Sequence, residues 1–104
     1  MHIPVDSPQD LGRVVRTVRR AQRIRQDDLA PMVNTSHVTL MNIERGKDSV
    51  GIGRVMDVLR ELGVRVHLDV PPEVAAQVEQ ALGRESYRKH AIVAGLAPNQ
   101  GPGA

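Results

Sequence analysis

The chain has 104 residues, a net charge of +2, and 25% charged and 40% apolar side chains, which suits one small domain and leaves no room for an ordinary two-domain enzyme. The absence of Cys excludes disulfide frameworks, thiolate zinc sites and thiol nucleophiles. Tyr87 is the sole aromatic residue, so the stacking platforms of most single-strand binders are missing and the core falls to aliphatic side chains and Met. No apolar stretch approaches the roughly 20 residues of a membrane span, and residues 1–10 lack a basic start followed by an apolar run, so a cytoplasmic address without a membrane partner is expected.

Residues 1–7, with Pro4 and Pro8 as breakers, read as an N-terminal arm. Ser7 as N-cap, Pro8 at the first helical position and Asp10 at the third predict the start of a first helix. Leu11, Val14, Val15, Val18 and Ala21 share one face of it; Arg13, Arg16, Arg20 and Arg23 share another. Residues 11–25 hold six arginines and no carboxylate, a block that attracts phosphate polymers or acidic proteins. A short second helix is expected over residues 26–33, with Leu29, Met32 and Val33 inward and Pro31 forcing a kink or a tight, short element. Asn34 and Thr35 form a turn, and Ser36 caps a third helix through Glu44 with Leu40 and Ile43 inward. Gly46 stops that helix in the left-handed conformation, and residues 47–51 follow as a polar loop.

Ile52, Val55, Leu59 and Leu62 recur at helical spacing, which predicts a fourth helix over about residues 53–62, ended by Gly63. The period then becomes two. Val64, Val66, Leu68 and Val70 alternate with Arg65, His67 and Asp69, the signature of a strand over residues 64–70. A lone strand has unpaired backbone groups on both edges, and the same strand of a second copy, antiparallel about a two-fold axis, would satisfy them. That predicts a homodimer; an irregular loop tucked on the core is the alternative. Pro71 and Pro72 end the strand. Residues 73–82 carry a weaker helical pattern, residues 84–96 can continue it, and residues 99–104 are expected to be disordered.

Enzymatic chemistry is not written here. His2, His37, His67 and His90 are too dispersed for a metal site, and no Ser has a nearby His and acid. Gly51-Ile52-Gly53 lacks the third Gly and the preceding strand of a dinucleotide loop, and Asn34-Thr35-Ser36 matches a glycosylation acceptor only by chance. No catalytic residues, metal or cofactor are expected.

A basic helix, a short helix, a four-residue turn and a capped helix form a constellation that sets one helix end into a DNA major groove. The residues Gln26-x-x-Leu29-Ala30, then Ser36-x-x-Thr39-Leu40-x-x-Ile43-Glu44-Arg45-Gly46, then Leu62-Gly63-Val64 resemble the Cro and lambda-repressor family, also called the xenobiotic-response-element (XRE) family. Pro31 and Asn34 depart from its pattern, which favours a good helix former and Gly at those positions. The resemblance implies a mainly α fold: a lambda-repressor-like helix-turn-helix domain of four to five helices over residues 8–63, with residues 64–70 as the dimerisation strand and 71–104 as a C-terminal helical segment and tail. By motif position it assigns base reading to His37, Val38, Thr39 and Asn42, with Met41 nearby, and phosphate contact to Gln26. It also implies a structural ion pair between Arg19 and Glu44. Asn42 suits bidentate adenine reading, His37 and Thr39 suit base edges, and Val38 suits a thymine methyl. Arg45, Lys47, Arg13 and Arg16 are the further phosphate candidates.

The amphipathic strand after Leu62-Gly63-Val64 looks like that of the HipB antitoxins. That likeness implies dimerisation through Val64, Val66, Leu68 and Val70, repression of the protein's own operon from a palindromic operator on the nucleoid, and a HipA-type kinase toxin as partner. Three other readings stand beside it: a stand-alone or phage-type regulator without a toxin, an adaptor whose basic helix meets an acidic protein, and a small hydrolase.

Overall fold

Ser7 is extended, and its hydroxyl accepts the Asp10 amide at 3.0 Å, so α1 (Pro8–Ala21) begins with proline at its first position. Then follow α2 (Gln26–Met32), α3 (His37–Glu44) and α4 (Ile52–Glu61). The computed structural model describes residues 1–83; the expectations for residues 84–96 and 99–104 lie outside them. Among the described residues the regular elements are all helical.

The four helices end in one way. Arg23, Asn34, Gly46 and Gly63 take positive φ of 59°, 54°, 74° and 77°. The next amide then reaches back five residues: Ile24 to the Arg19 carbonyl at 3.0 Å, Thr35 to Ala30 at 3.0 Å, Lys47 to Asn42 at 3.0 Å and Val64 to Leu59 at 2.8 Å. This Schellman closure satisfies carbonyls that a helix end otherwise leaves bare. Pro31 supplies no amide, and α2 closes two residues beyond it, a tight short helix.

Val15 from α1, Leu29 and Ala30 from α2, Leu40 and Ile43 from α3, and Val58 and Leu59 from α4 are buried together, joined by Val33 and Leu62. Leu11, Val18, Ile24, Val50, Val55 and Val64 pack around them. α1 meets α3 at Gly12, where an added Cβ would lie 2.5 Å from the carbonyl oxygens of Ile43 and Glu44. Four inward or facial expectations are corrected. Met32 is 57% exposed, because the turn at Asn34 ends the short helix with Leu29 and Ala30 as its buried pair. Ile52 is 79% exposed, as the first residue of α4, one turn short of the part that reaches the core. Ala21 is exposed at the last position of α1, and Arg23 lies beyond that helix in the left-handed turn.

The chain divides after Val66 into two units. In the first, Val64 packs on the core, while Val66 is half-exposed. Among the described residues, 64–70 form no hydrogen-bonded ladder. In the second unit, Leu68 is 82% exposed, and a 3₁₀ turn at Pro72–Val74 leads into α5 (Ala75–Leu82). Val74 and Leu82 on this segment are exposed. No helix among the described residues is long and apolar enough to cross a membrane.

Candidate nucleic-acid interface

The start of α3 is held open to solvent by its own cap. The Ser36 hydroxyl accepts the Thr39 amide at 3.0 Å and donates to Thr39 Oγ1 at 2.9 Å, which ties down the side chain of Thr39. With about 100° per residue, His37, Met41, Arg45, Val38 and Asn42 share the arc opposite Leu40 and Ile43. His37 and Val38 are exposed, Val38 to 62%, while Thr39, Met41 and Asn42 are half-buried along the rim. An apolar side chain so exposed gains nothing in water, but it can meet a thymine methyl.

Behind this face lies a buried ionic brace. Arg19 Nε donates to Glu44 Oε2 at 2.6 Å and its Nη2 to Glu44 Oε1 at 2.9 Å, a bidentate pair from α1 to the last turn of α3. Arg19 Nη1 reaches the Ile24 carbonyl at 2.9 Å, and Gln26 Nε2 donates to Glu44 Oε1 at 3.0 Å. Both ions are buried, and among the described residues no buried side-chain polar atom lacks a partner. Such a pair adds little net stability but fixes orientation, here of α3 on α1 and of the α2 start on both. Gln26 thus commits an amide proton to the brace.

An open basin of about 510 Å³ sits over the brace. Arg16, Arg20, Arg25, His37 and Arg45 line it above Gln26 and the Arg19–Glu44 pair, so the basic face of α1 and the starts of α2 and α3 converge. Within it His37 Nδ1 lies 2.8 Å from Asp27 Oδ1, and Arg25 Nη2 lies 3.6 Å from Asp27 Oδ2. Lys47 and Arg13 are exposed but do not line the basin, and neither do Val38, Thr39 and Asn42. The turns around it are pinned from outside: Gln9 Nε2 donates to the Gly46 carbonyl at 3.3 Å and Arg54 Nη1 to the Asn34 carbonyl at 2.7 Å.

Arg20, read in the sequence as part of the basic face, joins the site, as do Arg25 and Asp27, which the sequence did not assign to it. Asp27 stands in the first turn of α2. The available signal was the crossing of a helix-turn-helix, which brings the first turns of its two helices together and sets Asp27 beside His37, ten positions on.

A short helix, a left-handed turn and a capped helix exposed at its start, all braced on a basic first helix, define a helix-turn-helix (HTH) domain. No family model matches the chain. It is 36% identical over 69 residues to the uncharacterized HTH-type transcriptional regulator y4mF of Sinorhizobium fredii (strain NBRC 101917 / NGR234), covering 66% of this chain and 91% of the relative. The chain belongs to the HTH-type transcriptional regulators. Its fold is also that of HipB: a HipB-O4 20mer complex superimposes with a TM-score of 0.61 at 22% identity, over 66% of this chain and 97% of the other. A HipA-HipB-O2-O3 complex gives a TM-score of 0.62 at 22% identity, with the same coverage.

Proposed function

We propose that the protein is a dimeric, sequence-specific repressor that reads a palindromic operator in double-stranded DNA through α3. The observation that carries this reading is the outward arc of α3, presented on the buried Arg19–Glu44 brace and flanked by the arginine-lined basin. His37, Val38, Thr39 and Asn42 contact base edges; Gln26, Arg45, Lys47, Arg13 and Arg16 contact phosphates and fix register. Residues 8–63 act as the DNA-binding domain. Residues 64–70 pair with their counterparts about a two-fold axis, burying Val64, Val66, Leu68 and Val70, and this sets two copies of α3 about 34 Å apart, in successive major grooves. The exposure of Leu68 and Val66 in the single chain supports that role. The protein acts by binding rather than catalysis, in the cytoplasm on the nucleoid.

The finer reading is an antitoxin that represses its own operon and neutralises a HipA-like kinase toxin. It is supported by the shared fold with HipB, which is seen in complex with HipA. A gene for a kinase-like protein beside this one distinguishes it from a stand-alone regulator. The DNA reading is tested by selecting bound duplexes from a random pool with the purified chain. A palindromic winner is expected; retention of all duplexes alike would contradict it.

A further inference from the structure

The Asp27–His37 contact is a second link between α2 and α3, beside that of Gln26 to Glu44. It joins the first turn of α2 to the first residue of α3, at an exposed place where a packing role is small. His37 Nδ1 stands at ion-pair distance from Asp27 Oδ1, 2.8 Å, so the carboxylate faces the Nδ1 edge of the imidazole. The contact engages that edge of the ring and leaves Nε2, on the opposite side, for another partner. On an unrestrained side chain a ring flip exchanges Nδ1 with Cδ2 and Nε2 with Cε1, so neither nitrogen offers a defined partner to a base.

Resting on the DNA reading above, we propose that Asp27 is a positioning residue for sequence recognition: it orients His37 so that Nε2 addresses one base edge in each half-site. As an acceptor Nε2 matches the exocyclic amine of adenine or cytosine; as a donor it matches N7 or O6 of guanine. Either way the preference at that base pair depends on Asp27, which itself touches no base. A carboxylate on a surface meeting phosphates opposes binding electrostatically. Arg25, 3.6 Å from the other Asp27 oxygen, offsets part of that charge. Asp27 therefore trades general affinity for selectivity.

The test is duplex selection from a random pool by the full chain, with His37→Ala, Asp27→Ala and the double variant selected in parallel, and affinity for random duplex measured for each. His37→Ala is expected to lose the preference at one position of each half-site. Asp27→Ala is expected to lose it at the same position while keeping the rest of the motif and binding random duplex no more weakly than wild type. The double variant should return the His37→Ala motif unchanged. Retention of that position in Asp27→Ala, or a uniform loss across all duplexes, would overturn the proposal. A wild-type pool without any enriched motif would instead overturn the DNA reading on which it rests.

Discussion

Gly12 stands where α1 comes nearest to α3, against the carbonyls of Ile43 and Glu44. A methyl group there has only backbone to displace, so Gly12→Ala is expected to lower stability by roughly 1–3 kcal/mol despite the better helix propensity of Ala, as read from the urea unfolding midpoint. Unchanged stability would show that the two helices can part without cost. Arg23 presents the opposite case. It holds φ at 59° as the left-handed residue closing α1, a conformation that disfavours side chains with a Cβ. Arg23→Gly is expected to raise stability by about 0.5–1 kcal/mol and with it the Tm. Neither position is legible in one sequence: a Gly inside a helix reads as a defect, and an Arg carries no turn signal.

At the scale of elements, the starts and stops were the most legible features, because their chemistry is local. Ser7 and Ser36 cap α1 and α3, and Asn34, Gly46 and Gly63 take the left-handed turns that their residue types favour. Inward phase at the ends of short helices was not legible: Met32 and Ile52 fit the apolar period, yet tertiary contact ends before it reaches them. The Asp27–His37 contact was hidden for a related reason, since it depends on how two helices cross. The outward arc of α3 makes its own prediction under the proposed function. Asn42→Ala should relax base preference at one operator position by roughly 1–3 kcal/mol and leave affinity for random duplex intact. Lys47→Ala should weaken all duplexes about equally and flatten the salt dependence of binding. Binding titrations on selected and random duplexes at several salt concentrations separate the two; equal losses on both duplexes for Asn42→Ala would remove it from the base-reading set.

The whole molecule, as proposed, works only in duplicate. Residues 64–70 alternate apolar and polar side chains and end at Pro71, and in the single chain Leu68 stands 82% exposed. Leu68→Asp places a charge on the face that a second copy would bury, and is expected to yield monomers by sedimentation that bind operator poorly. A Leu68→Asp variant that still sediments as a dimer would remove residues 64–70 from the dimer interface. Residues 1–66 pack around their own core, so this variant should retain its helical content.

The central claim is that two copies of α3, held at a fixed spacing by the dimer, read base edges in successive major grooves. The most direct measurement compares affinity for the selected palindrome with affinity for the same half-sites separated by an added half turn, about 5 base pairs. The account predicts that the insertion brings affinity down toward that of a single half-site, because the second α3 then faces the wrong side of the duplex. Equal affinity for the two duplexes would contradict it.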